Sequence, residues 1–268
     1  MFLSSSHQRQ IQPIWQTYQG DKEDRSNLEQ THFASLMRKA ALACYAAGIF
    51  GILGSLARSN LTNFIVVPLT SGAASGNLGP EVVSEIIQSM NILVPEMYVL
   101  IAMSLVFSSF FAFYCFMVGR TYRIGMIQIA GLLWLIWQLA VAPVLLVGYQ
   151  VLTINWSILS LYEITAQLEA ILPLLLLGTV LDLAFLLLFI ITFTIGLNMM
   201  KTRTRLSLFE TAIVVAIVGA VISSVATIFS YIGTNIIIGP FAVLLPIAII
   251  VFGLALSRTG REGSMPRP

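Results

Sequence analysis

The stretch Leu176–Phe193, "LLGTVLDLAFLLLFIITF", is apolar apart from one carboxylate, Asp182, and two threonines. A helix needs about 20 such residues to cross the hydrocarbon core of a bilayer, whereas a strand of a membrane β-barrel needs only about 10. The stretch therefore predicts a membrane-spanning α-helix. It also raises the question of what a carboxylate does inside it.

The rest of the chain has the same character. Of its 268 residues 57% are hydrophobic and 10% are charged, and the mean hydropathy is +0.90, far from the composition of soluble domains. We expect an all-α fold, a polytopic bundle of six transmembrane helices in residues 26–257 with outer segments at 58–94 and 150–170. Residues 1–25 are expected to be a disordered cytoplasmic tail without a cleavable signal peptide, and 258–268 a second tail. The six apolar runs are about Ala40 to Ala57, Met97 to Gly119, Ile124 to Gly148, Ile171 to Met200, Leu208 to Ile232 and Ile236 to Ser257.

The basic residues predict the orientation. With six spans, both termini and the loops after spans two and four share one side, and this side holds all of the Lys and Arg residues except Arg58. The positive-inside rule then places both termini in the cytoplasm and the bundle in the cell membrane. The sequons at Asn60 and Asn155 fall in outer segments, which makes them candidate glycosylation sites. The residues on the basic side are Arg9, Lys22, Arg25, Arg38, Lys39, Arg120, Arg123, Lys201, Arg203, Arg205, Arg258, Arg261 and Arg267.

Local signals predict where some helices begin. The sequence Ser26-Asn27-Leu28-Glu29 has the form of a capping box, so the first helix is expected to start near Ser26. Pro80-Glu81 suits the first turn of a helix, and the apolar spacing of residues 80–90 predicts a short helix on the outer face of the membrane.

Small residues recur every four positions in spans one and five, a spacing that lets helix backbones approach closely. We expect these two faces to pack against other helices, although such residues are also common in membrane helices in general. The residues are Ala43, Ala47, Gly51 and Ser55 in span one, and Ala212, Ala216, Ala220 and Ser224 in span five.

Spans four and six leave the membrane with the same spacing, Gly196-Leu197 followed by Lys201-Thr202 and Gly253-Leu254 followed by Arg258-Thr259. Duplicated hairpins would explain this, and so would the need for a cation at each cytoplasmic helix end. These exits, with the re-entry "RIGMIQIAGLLWLIW" at 123–137, resemble those of uncharacterised archaeal multi-span membrane proteins over the second half of the chain. The resemblance implies no particular activity.

Several chemistries lack the residues they need. Both histidines, His7 and His32, precede the first apolar run, so no histidine is available within the membrane to bind haem, zinc or copper. The sequence has no phosphate-binding glycine motif and no second intramembrane Asp for an aspartic-protease pair. Cys44 and Cys115 are expected to be small apolar fillers. We expect no cofactor, no metal, no enzymatic activity and no nucleic-acid partner.

With those chemistries excluded, Asp182 is the remaining candidate for a polar site within the membrane. It is expected near the middle of span four, where a charged and unpaired carboxylate costs about 3 kcal/mol or more. Gln138 of span three has a similar depth, so the Gln138 amide and the Asp182 carboxyl are expected to hydrogen-bond, with Thr179 one turn away. Such a group is either a proton or cation site or a protonated residue that joins two helices, and the scarcity of other polar groups favours the second.

Two functions remain open. The favoured one is a non-catalytic accessory or scaffold subunit, whose partners are the lipid bilayer and other membrane subunits or further copies of the chain. The alternative is a small permease, proton-linked through Asp182 or partnered with a cytoplasmic ATPase. An enzyme acting on lipid is a more distant possibility because clustered acids for a metal are missing from the sequence.

Overall fold

The computed structural model describes residues 6–61, 80–152, 161–231 and 243–262. Its side chains are described chiefly over 28–56, 102–137, 183–225 and 243–262. Within these residues the chain is all-helical and has no strand. The helices are α1 (Ser6–Leu61), α2 (Pro80–Tyr122), α3 (Gly125–Leu152), α4 (Leu161–Thr204), α5 (Leu208–Tyr231) and α6 (Leu244–Glu262).

Five of these helices are long and apolar enough to cross a membrane, which confirms the membrane character predicted from composition. For α3 the side chains are described over only half of the helix, and its apolar described segment is Gly125–Trp137. The five spanning segments are Leu28–Leu56, Ala102–Tyr122, Leu183–Thr204, Leu208–Val225 and Leu244–Glu262.

The helices are longer than the apolar runs. The first helix begins at Ser6, so it passes through the capping box at Ser26 and covers residues 6–25, for which the sequence predicts a disordered tail. Inside a continuous helix each backbone N–H bonds to the carbonyl four residues earlier, so a cap at Ser26 has no free donors to satisfy. At the other end, α6 continues to Glu262, beyond the predicted start of the tail at 258.

The expected helix start at Pro80 is confirmed, but the predicted short surface helix is not a separate element. Helix α2 runs on through Pro95 to Tyr122, 43 residues or about 65 Å. A proline removes one backbone donor, and membrane helices tolerate this loss. Pro246 has even less effect because it lies in the first turn of α6, where N–H groups have no partner within the helix.

The six helices form a closed ring. Each helix packs against the next one in the chain, and α6 returns to pack against α1. The closing interface depends on glycine: a Cβ on Gly253 would lie 2.8 Å from Cys44 Cβ and 3.1 Å from the Ala41 carbonyl oxygen, and a Cβ on Gly48 would lie 2.9 Å from the Pro246 carbonyl oxygen. The backbones of α1 and α6 are therefore nearly in contact, as in other small-residue interfaces of membrane helices.

Short connections hold α2 to α3 and α4 to α5. Arg123 and Ile124 alone separate the first pair, and Arg205 to Ser207 separate the second. Arg123 and Arg205 have φ angles of 54° and 59°, the left-handed conformation that ends many helices and that glycine adopts most easily. Each backbone N–H at this position bonds back to the last turn, 3.2 Å from Arg123 N to Arg120 O and 2.7 Å from Arg205 N to Lys201 O. Two arginines thus occupy positions that favour glycine.

Candidate functional site

The predicted polar site lies on α3 and α4, which pack against each other. Gln138 belongs to α3, and Thr179 and Asp182 belong to α4. The side chains of all three lie outside those that the structure describes. Their hydrogen bond therefore stays a prediction, and only the helix register bears on it.

The alignment of α3 with α4 follows from contacts nearer the end of the bundle that holds Arg123 and Lys201. A Cβ on Gly196 of α4 would lie 3.1 Å from the Ile127 backbone nitrogen of α3, and the rings of Phe189 and Trp134 have centroids 4.9 Å apart. Asp182 is seven residues from Phe189, and Phe189 is seven from Gly196, so the three positions share one face of α4. This face packs on α3.

The same register gives the distance along the helix axes. The two helices are antiparallel, so the same alignment can be extended from Gly196 and Phe189 toward Asp182. It places helix position 141 level with 182 and position 185 level with 138. Along the axis, the positions of Gln138 and Asp182 are offset by three residues, or about 4.5 Å. Asp182 is 19 residues from Lys201, about 28 Å, which is close to the full thickness of a hydrocarbon core.

Between the position of Asp182 and the end of the bundle that holds Lys201, aromatic rings fill the described interior. Ring contacts connect α2 to α3, α3 to α4, α4 to α6 and α6 to α5, with centroids 4.9–6.1 Å apart. Such a packed series of large side chains excludes water from the centre of the described bundle. The rings, in the order of contact, are those of Phe111, Trp134, Phe189, Phe193, Phe252 and Phe209.

Ser108 and Thr259 are buried polar side chains of the described residues. The Trp134 indole N–H donates to the Ser108 hydroxyl at 3.0 Å, and the Thr259 hydroxyl donates to the Ala255 carbonyl of its own helix at 2.8 Å. Ser109 likewise bonds its own helix, at Leu105. Ser108, Trp134 and Thr259 are thus paired with each other or with backbone, whereas the buried Tyr122 hydroxyl has no hydrogen-bond partner among the described residues. These buried groups do not form a continuous polar path.

Sequence analysis missed the bond between Trp134 and Ser108. A buried indole N–H nearly always finds an acceptor, so the position of Trp134 in the middle of an apolar run was a usable signal. The acceptor could not be identified from the sequence, because three serines of span two lie close together: Ser104, Ser108 and Ser109.

Of the four small residues predicted to pack in span one, Gly51 lies at the interface that closes the ring. Ala43 and Ala47 are buried, and a Cβ on Gly51 would lie 3.0 Å from Pro246 Cγ. Ser55 is half-buried and donates to the Gly51 carbonyl at 2.8 Å.

In span five Ala212, Ala216 and Ala220 are buried, while Ser224 is half-buried. The adjacent Gly219 makes the closest approach of this helix, since its Cβ would lie 2.9 Å from Leu244 Cβ of α6. In both helices the faces with small residues thus lie against neighbours, and a glycine makes a close approach in each.

Basic residues from α1, α2, α4 and α6 gather at one end of the bundle. Met37 of α1 lies beside Gly260 of α6, and the Arg203 guanidinium of α4 donates to the Tyr122 carbonyl of α2. Lys201 pairs with Glu210 at 2.8 Å across the connection between α4 and α5. Both members are substantially exposed, so this pair contributes less than about 1 kcal/mol. The described Arg side chains at this end are all exposed.

Other predicted features are located without being tested. Among the residues described, no three His, Cys, Asp or Glu side chains form a group that could hold a metal. Cys44 and Cys115 are buried and free. Asn60 is in the last turn of α1 with its side chain outside the described set, and Asn155 is outside the described residues.

Comparison with known proteins gives no relative, since no family model, curated protein or solved structure matches the chain. The resemblance to archaeal membrane proteins is therefore still a prediction.

Proposed function

We propose that this protein is a non-catalytic integral protein of the cell membrane, an accessory or scaffold subunit of a membrane complex. The observation that carries the proposal is the sealed interior, in which aromatic rings fill the described core and the few buried polar groups do not form a continuous path. A transported molecule would have no wet path through this half of the bundle. A subunit needs a rigid framework and an outer surface, and it does not need such a path.

The outer surface supports the same proposal. Large apolar side chains on α2, α3 and α4 are half or more exposed, among them Phe113, Leu132 and Ile191. In a membrane such faces are covered by lipid tails or by other helices. They provide the surface that a subunit would present to partner subunits or to further copies of this chain.

We propose six spans, with both termini on the cytoplasmic side. Helices α2 and α4 both end at the basic end, so α3 has to cross to the opposite side to reach the start of α4. Its 28 residues cover about 42 Å, enough for a bilayer core. The concentration of Arg and Lys at the end that holds the entry of α1 and the exit of α6 supports cytoplasmic termini.

The alternative function, a proton-linked permease, has one observation in its favour. The position of Asp182 is seven residues from Phe189 and fourteen from Gly196, two residues of α4 that pack on α3. An ATPase-linked permease has less support, because the connections after α2 and α4 are two and three residues long and contain no helix on which an ATPase could dock.

Proton flux separates these functions. The full chain would be reconstituted into liposomes that contain a pH-sensitive dye, and an inward proton gradient would be imposed. The scaffold proposal expects the same slow leak for protein-free liposomes, wild type and Asp182→Asn. A wild-type flux that Asp182→Asn abolishes would contradict the proposal and support the permease. Asn keeps the hydrogen-bonding capacity and the size of Asp, so a loss of folding should not confuse the result.

A further inference from the structure

A groove of about 550 Å³ lies at the basic end over the outward face of α6. Four of its residues, Leu254, Ser257, Arg258 and Arg261, recur at helical spacing on α6. Tyr45 of α1 forms one wall and Leu208 of α5 forms the other. The groove is thus made by three adjacent helices of the ring and opens away from its centre.

The walls are apolar at the end that points into the span. A Cβ on Gly253 would lie 2.9 Å from Tyr45 Cε1, so the Tyr45 ring is level with Gly253. On the other side, Gly219 lies beside Leu244, and eleven residues further along each helix the register brings Leu208 level with Ala255. Tyr45, Leu254 and Leu208 therefore form one apolar layer. Ser257, Arg258 and Arg261 follow beyond it toward the end of the helix.

The outer part of the groove carries net positive charge. Arg258 is neutralised by Glu262, with Nε and Oε1 2.7 Å apart, and both side chains are exposed. Arg261 is exposed and has neither an ion pair nor a hydrogen bond with any described residue. Arg38 is also exposed, and it lies seven residues before Tyr45 on the same face of α1. An anionic group at this position would gain charge-assisted hydrogen bonds that the protein itself does not supply.

We propose that this groove binds one anionic glycerophospholipid of the adjacent leaflet. Its phosphate lies between Arg258 and Arg261, and its acyl chain runs over Leu254 and between Tyr45 and Leu208. The order of the lining, apolar within the span and basic at its end, matches the order of a lipid across the same interface. A free phosphate ion would make no use of the apolar layer. This inference is independent of the scaffold proposal.

The test is a lipid titration of the full chain in mild detergent, with bound molecules counted by native mass spectrometry. The probes are phosphatidylglycerol and phosphatidylcholine with identical acyl chains. One phosphatidylglycerol should bind at least about tenfold more tightly than phosphatidylcholine. The double variant Arg258→Gln/Arg261→Gln should lose about 25-fold in affinity, about fivefold for each arginine near the surface.

A matched control removes two charges from the same end outside the groove, Arg120→Gln/Arg123→Gln. It should bind phosphatidylglycerol as wild type does. Equal losses in the two double variants would overturn the proposal in favour of diffuse surface attraction, and so would equal binding of the two lipids. Leu254→Gln, at a side chain that is 48% exposed, tests the acyl-chain contact and should weaken binding several-fold without affecting the fold.

Inorganic phosphate at millimolar concentration distinguishes the two sources of a phosphate group. The proposal expects no displacement of phosphatidylglycerol by it. Displacement, together with an unchanged affinity in Leu254→Gln, would show an anion site that does not recognise lipid and would overturn the proposal.

Discussion

The ring is closed by contact between α1 and α6, and Gly253→Ala is a small change that opposes this closure. The new Cβ would lie 2.8 Å from Cys44 Cβ and 3.1 Å from the Ala41 carbonyl oxygen. Ordinary contacts between such atoms are about 3.5–4.0 Å, so the two helices would have to separate locally by about half an ångström or more. Overpacking of this kind costs about 1–3 kcal/mol, against which Ala gains about 1 kcal/mol over Gly in helix propensity.

The control is Gly54→Ala in α1, where a Cβ meets no atom of the described residues within 4 Å. The gain in helix propensity is common to both variants and cancels when they are compared. Gly253→Ala should therefore be about 1–3 kcal/mol less stable than Gly54→Ala. In a chain of this size about 1 kcal/mol corresponds to roughly 2–4 °C in Tm.

The assay is thermal unfolding in mild detergent, followed by the loss of the monodisperse peak in size-exclusion chromatography. Gly253→Ala should melt several degrees below Gly54→Ala. Equal melting temperatures would refute the close approach of α1 and α6 and, with it, the closed ring.

The remaining predictions use the same assay. Ser108→Ala should destabilise the protein by about 1–3 kcal/mol, because it leaves the Trp134 indole N–H buried without its acceptor; an unchanged Tm would show that this hydrogen bond is absent. Tyr122→Phe should leave the protein as stable or stabilise it by up to about 1–3 kcal/mol, since the buried Tyr122 hydroxyl has no hydrogen-bond partner among the described residues; a clear loss would reveal an unseen partner. Arg123→Gly should stabilise by about 1 kcal/mol because φ is 54° there, whereas Arg120→Gly, inside the last turn of α2, should destabilise by a similar amount; effects of the same sign would contradict the turn conformation.

Sequence patterns predicted the class of fold because hydropathy alone determines whether a segment can enter a bilayer. Hydropathy also explains why the apolar runs are shorter than the helices that contain them. The apolar runs end at the membrane interface, but backbone hydrogen bonding does not have to stop there, and α2 extends back to Pro80 through residues that hydropathy does not mark as a span. The closure of the ring by α1 and α6 could not be predicted, because helices at opposite ends of the chain carry no local signal of their contact.

The two repeated exits have different packing partners. Gly196 of α4 packs on Ile127 of α3, the preceding helix, whereas Gly253 of α6 packs on Cys44 of α1. The residues that follow also differ in environment, since Leu197 is fully buried and Leu254 is 48% exposed. The shared spacing therefore has different packing roles in the two helices. This favours the simpler explanation, a cation required at each of these helix ends.

For the polar site, composition located Asp182 but could not determine its partner. The side chains of Asp182 and Gln138 lie outside those that the structure describes, so their hydrogen bond stays a prediction. The sealed interior was less accessible from sequence. Aromatic residues are frequent in membrane helices on both the lipid and the inner faces, and only the packing shows which rings meet at the centre.

The central claim, that this protein works as a subunit and not alone, is tested most directly by purification from native membranes in mild detergent with mass spectrometry of the bound proteins. The account predicts at least one membrane protein, or a further copy of this chain, at constant stoichiometry through size-exclusion chromatography. A lone, monodisperse monomer would contradict it.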